Sequence, residues 1–144
     1  MPVWLSIPAL HIQAPVEQKA LTPAGDVDVP SGPNSVAWYD HGPIPGQPGN
    51  AVISGHLDTP SGGAIFSSLD HARPGDSIAV TLADGRAIQF RVTTLTYYPY
   101  NAELAMLFAT AGPSHLSLIT CAGSWDGGRH TYRQRLIVYA IATG

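Results

Sequence analysis

Hydrophobic and polar positions alternate over short stretches of this chain, and turn-forming residues separate the stretches. Ser77-Ile78-Ala79-Val80-Thr81-Leu82 places Ile78, Val80 and Leu82 on one face, and Ala87-Ile88-Gln89-Phe90-Arg91-Val92 places Ile88, Phe90 and Val92 on one face. Between them, Ala83-Asp84-Gly85-Arg86 carries an Asp-Gly pair, favoured in tight turns because type I′ geometry needs positive φ at both central residues. These runs predict a β-hairpin. Further strand candidates are Trp4 to Ile7, Val36 to Tyr39, Ala51 to Ser54, Thr93 to Tyr97, His115 to Cys121 and Leu136 to Ile141.

Two segments are spaced as short helices instead. Ala64-Ile65-Phe66-Ser67-Ser68-Leu69 sets Ile65 and Phe66 against Leu69, and Asn101 is placed to cap a turn that carries Glu103 and aligns Leu104, Leu107 and Phe108. Many short strands without a regular strand-helix-strand alternation predict an all-β barrel or sandwich. The proline-rich Gly42-Pro43-Ile44-Pro45-Gly46-Gln47-Pro48-Gly49 reads as a stiffened surface loop, since proline fixes φ.

Composition narrows the picture. With 144 residues, 44% of them hydrophobic, the chain has enough for one domain with its own core, and 15 glycines and 13 prolines spread along it disfavour long helices. Charged residues make up 12% and the net charge is -3, so no basic face offers to neutralise a phosphate backbone; nucleic acid is excluded as an expected partner. No apolar run approaches a membrane span and Met1-Pro2-Val3 does not begin a signal peptide, so the chain reads as a soluble domain, with any membrane anchor lying before Met1.

The chemistry centres on the single cysteine, Cys121, at the end of Leu116-Ser117-Leu118-Ile119-Thr120-Cys121 and ahead of a glycine-containing stretch, Ala122 to Gly128. An internal disulfide is impossible, so the thiol is a core residue, pairs with another chain, or reacts. A thiol nucleophile needs a proton partner. Among His11, His41, His56, His71, His115 and His130, His56 stands out because Asn50-Ala51-Val52-Ile53-Ser54-Gly55-His56 repeats the Cys121 pattern of an apolar strand ending in a polar residue. His130, in the loop after Cys121, is the substitute. Tyr132-Arg133-Gln134-Arg135-Leu136-Ile137-Val138-Tyr139-Ala140 is a strand whose start carries two arginines, and period two places both on one face with Ile137 and Tyr139. Either arginine could supply the donor that a developing oxyanion requires, or both could be solvated on an edge strand.

Ile53-Ser54-Gly55-His56, Leu118-Ile119-Thr120-Cys121 and Arg135-Leu136-Ile137-Val138-Tyr139-Ala140, in that order, together resemble the sortases, cysteine transpeptidases of Gram-positive cell envelopes. Leu5-Ser6-Ile7-Pro8-Ala9-Leu10, Phe66-Ser67-Ser68-Leu69 and Pro74-Gly75-Asp76 extend the resemblance over nearly the whole chain, and Trp38-Tyr39 with the proline-rich lead-in to the histidine looks most like class F, or the related classes E and D, of actinobacteria. The resemblance implies a single sortase catalytic domain over residues 1–144: an eight-stranded sortase-type β-barrel with one or two short helices. It implies Cys121 as nucleophile toward a Leu-Pro-x-Thr-Gly-type sorting signal cleaved between Thr and Gly through a thioacyl intermediate, and His56 as general acid. Arg135 would hold substrate or oxyanion, with Arg133 as the alternative and Thr120 as a further substrate contact. The implied partners are sorting-signal peptides of secreted surface proteins and an amine from a peptidoglycan precursor or pilin, at the extracellular face of the membrane; no cofactor and no metal are expected.

Two other readings compete. An L,D-transpeptidase or papain-like enzyme fits poorly, because histidine precedes cysteine here and the cysteine ends a strand. A β-sandwich binding module holding a metal on His41, His56, Asp58 and His71 lacks a recognised ligand spacing.

Overall fold

The computed structural model describes residues 1–23, 25–59, 62–129 and 131–143. Eight strands close into a barrel, in the order β1 (Pro2–Ile7), β2 (Ile12–Lys19), β3 (Val36–Tyr39), β4 (Gly49–Ser54), β9 (Ser114–Asp126), β10 (Thr131–Ala142), β8 (Ala87–Pro99) and β7 (Ser77–Leu82). A separate two-stranded ribbon joins β5 (Asp58–Thr59) to β6 (Gly62–Gly63). The chain is therefore an all-β barrel and not a sandwich. Helical structure among the described residues is limited to three 3-10 turns, Pro8–Leu10, Leu69–His71 and Ala105–Phe108.

Alternation builds the barrel wall as the sequence predicts. Ile78, Val80, Leu82, Phe90 and Val92 are all buried in the central core together with Leu116, Leu118, Leu136 and Val138. The β7–β8 turn differs from the expectation in detail. Gly85 alone takes positive φ (92°) while Asp84 does not, and Leu82 N–H bonds back to the Arg86 carbonyl at 2.8 Å. A single left-handed glycine suffices where one extra residue is accommodated in the turn.

One barrel strand, β2, is not among the predicted runs, because Pro15 interrupts it. Proline lacks a donor and is normally confined to strand edges. The ladder explains its tolerance: residues 12–15 pair antiparallel with β1, whereas residues 16–19 pair parallel with β3. Pro15 sits where the strand changes partner.

Asn101 does not cap a helix; the 3-10 turn begins at Ala105 behind Leu104, whose side chain makes no capping bond. This connection between β8 and β9 nevertheless packs on the barrel. Leu107 is buried against Val52 and Ile137 in a small outer cluster; Asn50 Nδ2 donates to the Leu107 carbonyl at 3.1 Å, and Asn50 Oδ1 accepts from Ser117 Oγ at 2.9 Å. Every residue of β4 is consequently buried, inward by the barrel core and outward by this cover. That two-sided burial accounts for the unbroken apolar run Ala51-Val52-Ile53.

Candidate active site

Two ladders position the candidate residues. β4 runs parallel to β9 in the register Val52↔Ser117 and Ser54↔Ile119, and Gly55 N–H extends it by bonding the Ile119 carbonyl at 3.0 Å. Two residues beyond the last rung lie His56 on one chain segment and Cys121 on the other. On the opposite side of β9, Cys121 is paired directly with Arg135 of β10. Histidine, cysteine and arginine thus occupy one transverse row across three neighbouring segments.

The row lies on the outer surface of the barrel wall. Ile119 and Ile137, two residues from Cys121 and Arg135 and so on the same face of their strands, belong to the outer cluster with Val52, Leu107, Tyr98 and Tyr139. This apolar platform, tied by the 2.8 Å contact between the Tyr98 and Tyr139 hydroxyls, ends at the cysteine. Thr120 has the other parity: it is 3% exposed, on the inward row with Leu118 and Ala122, and its hydroxyl has no hydrogen-bond partner among the described residues. Its side chain therefore lies on the opposite face from the Cys121 side chain.

Cys121 is not at a strand end. β9 continues to Asp126, and the glycine-containing stretch forms the distal half of a long β9–β10 hairpin. A bulge between the Ala122↔Gln134 and Trp125↔Tyr132 pairs accommodates the extra residue, with Gly123 at φ 75° and its Cα so close to Gln134 that a Cβ would meet Oε1 at 2.8 Å. The left-handed backbone favours glycine here, and an added Cβ would also push on the exposed, flexible Gln134 side chain. The bulge also separates the two arginines: Arg133 is exposed, with its guanidinium 3.6 Å from Asp126, whereas Arg135 is half-buried opposite the cysteine.

Arg135 Nη1 donates to the backbone carbonyls of Tyr132 and Gln134 at 3.1 and 3.0 Å, which holds the guanidinium at the strand. Burial pushes the Cys121 thiol up from its ordinary value, with the positive charge of Arg135 opposing the shift and the carboxylate of Asp58 reinforcing it. His56 is half-buried, and its Nε2 lies 2.8 Å from the Pro30 carbonyl; because a carbonyl only accepts, Nε2 carries the hydrogen. Ser54 Oγ likewise donates to the Asp28 carbonyl at 2.6 Å, so the segment around Asp28 to Pro30 braces the end of β4. No hydrogen bond joins His56 to Cys121 among the described residues. His130 lies outside them.

Local packing fixes the histidine's approach. A Cβ on Gly55 would stand 2.6 Å from the ring of the fully buried Phe66, and Phe66 N–H bonds the His56 carbonyl at 3.0 Å. The segment after the histidine then returns across the row. Tyr132 Oη donates to Asp58 Oδ2 at 2.5 Å, joining β5 to β10 beside the cysteine, and this bond pushes the phenol up to about 12. Trp125 packs edge-on against Tyr132 with ring centroids 5.2 Å apart. Sequence reasoning did not single out Tyr132, and considered Asp58 only as a metal ligand; their proximity to Cys121 depends on the bulged hairpin.

The metal-binding alternative finds no support in the geometry. His41 neighbours Asp40 at 3.5 Å, His71 neighbours Asp70 at 3.9 Å, and among the described residues no three histidine, cysteine, aspartate or glutamate side chains group as ligands.

Residues 5–143 match the sortase domain. The chain belongs to the sortase family. Solved sortase structures share its fold. A lid mutant of sortase A from Corynebacterium diphtheriae aligns with a TM-score of 0.77 at 19% identity, covering 99% of this chain and 70% of that one. The pilus-related sortase C of Group B Streptococcus aligns with a TM-score of 0.77 at 18% identity, covering 99% and 67%. A sortase D5 transpeptidase from Clostridium perfringens gives 0.75 at 18% identity, covering 99% and 79%. Among curated protein sequences none matched. Sortases are cysteine transpeptidases of the cell envelope, and this sortase has the cysteine that such chemistry requires. No described helix is long and apolar enough to cross a membrane.

Proposed function

We propose that this sortase cleaves a Leu-Pro-x-Thr-Gly-type sorting signal between Thr and Gly and transfers the acyl group to an amine, at the extracellular face of the membrane. The single observation that carries the reading is the transverse row in which Cys121 is paired with Arg135 on one side and followed across the other by His56, two residues past the last β4–β9 rung.

In this mechanism Cys121 Sγ passes its proton to His56 and attacks the threonine carbonyl, forming the C–S bond while the carbonyl π electrons move to oxygen. Arg135 stabilises that oxyanion or the substrate backbone by charge-assisted hydrogen bonding. Collapse expels the glycine nitrogen, to which His56 delivers a proton as general acid. The thioacyl enzyme then meets an amine, the C–N bond replaces the C–S bond, and the thiol is restored. The raised thiol makes proton removal part of the first step rather than a property of the resting enzyme. Thr120, buried on the inward face, serves this site through packing of β9 in our reading, and Arg133, paired with Asp126, supports the hairpin. The domain spans residues 1–144, and its partners are sorting-signal peptides and an acceptor amine from a peptidoglycan precursor or pilin.

Incubation with a panel of sorting-signal peptides, read by intact-protein mass spectrometry, tests the proposal. A mass increase equal to the acyl fragment supports it; no increase with any peptide contradicts it.

A further inference from the structure

Asp58 is out of place for a residue whose sole concern is the nucleophile. Its carboxylate is exposed, two residues after His56, and bonds Tyr132, which lies on β10 three residues before Arg135, the ladder partner of Cys121; its negative charge adds to the upward push on the thiol. Among the described residues it forms no salt bridge, and its one hydrogen bond is the 2.5 Å bond that Tyr132 Oη donates to Oδ2. That bond spans from β5 to β10, so the carboxylate is tied to the strand that pairs with the cysteine.

The sequence of charges during the reaction gives this arrangement a purpose. While Cys121 is a thiolate, a neighbouring carboxylate is repulsive. Once the thioester has formed, the sulfur is neutral and the same carboxylate favours a cation. An acceptor amine arrives at neutral pH as an ammonium ion. We infer that Asp58, clamped by Tyr132, is the binding site for the ammonium group of the acceptor, presenting it to the thioacyl carbonyl after acylation. The inference rests on the transpeptidase reading above and adds the residue that selects a cationic nucleophile over water.

The step balances. Of the three ammonium protons, one stays on the amide nitrogen, one restores the Cys121 thiol and one passes to His56 or to solvent. The nitrogen lone pair forms the C–N bond as the C–S electron pair returns to sulfur. Asp58 accepts a hydrogen bond from the ammonium before the proton departs and undergoes no net change.

The test measures partition of the thioacyl enzyme between acceptor and water. Wild type, Asp58→Asn and Tyr132→Phe are acylated with the peptide that gives the adduct, then offered triglycine, cationic at neutral pH, or hydroxylamine, which is uncharged there. In Asp58→Asn the triglycine concentration giving half-maximal transfer should rise about tenfold, as for loss of a hydrogen bond to a charged group. Transfer to hydroxylamine should not follow it, and alkylation of Cys121 in the unacylated variant should quicken at neutral pH. Tyr132→Phe, which keeps the carboxylate and frees it, should show a smaller rise for triglycine. An unchanged triglycine dependence in Asp58→Asn, or an equal loss for both nucleophiles, would overturn the assignment while acylation left the transpeptidase reading standing. Failure of wild type to acylate would overturn both.

Discussion

Arg135 and Cys121 are direct partners across the β9–β10 ladder, and Arg133, only two residues earlier, is turned to Asp126 at the far side of the Gly123 bulge. Sequence periodicity treats the two arginines as equivalent. The bulge makes them different, since it resets the pairing between Tyr132 and Gln134. Arg135→Ala should therefore lower peptide cleavage by ~10²–10³, the scale for one lost oxyanion donor. Arg133→Ala should change it by only a few-fold. Arg135→Lys should recover little, because a point charge does not reproduce the planar guanidinium fork. A larger loss at Arg133 in the cleavage assay would reverse this assignment.

The thiol's environment predicts its pH response. Burial disfavours the thiolate and is the largest influence, so the alkylation rate should climb with pH through an inflection above that of an ordinary cysteine. Removing the charge of Arg135 takes away a group that favours the thiolate, and the inflection in Arg135→Ala should move still higher. Iodoacetamide rate profiles check both signs; a downward move in the variant would contradict the electrostatic account.

Turnover carries a second pH signature. With His56 as acid and Cys121 as nucleophile, cleavage should follow a bell, and His56→Ala should erase one limb. An intact bell in that variant would remove His56 from the chemistry.

The short strands made the all-β character legible, with the bounds of Ser77–Leu82 and Val36–Tyr39 matched to the residue, whereas the eight-stranded barrel itself followed from the resemblance to sortases. β2 was hidden by Pro15, whose position at a change of pairing partner is a property of the assembled sheet. The helical spacing of Leu104, Leu107 and Phe108 reported real packing of Leu107 but only a 3-10 turn, since a single buried side chain anchors it. Within the site, Cys121 and His56 declared themselves as polar residues closing apolar runs. Asp58 and Tyr132 did not, because 74 positions separate them and neither interrupts a pattern.

Gly55 shows how packing beside the site constrains it. Gly55→Ala would drive a methyl to 2.6 Å from the buried ring of Phe66, well inside van der Waals contact. Overpacking of this kind costs about 1–3 kcal/mol. The variant should melt earlier and lose cleavage beyond its loss of stability, because His56 is the next residue. A thermal melt and a cleavage assay well below the melting temperature separate the two effects; wild-type values in both would show that the ring moves aside freely.

The central claim is that Cys121 forms the covalent bond to the sorting signal, and the most direct measurement is peptide mapping of the enzyme trapped during turnover. Cys121 lies half-buried at the end of an apolar platform, so Cys121→Ala deletes the sulfur while leaving the barrel core untouched and should fold as wild type does. The account predicts the acyl fragment on the peptide that contains Cys121 in the wild-type enzyme, and neither adduct nor cleavage in Cys121→Ala. Cleavage retained by the folded alanine variant, or an adduct on another residue, would contradict it.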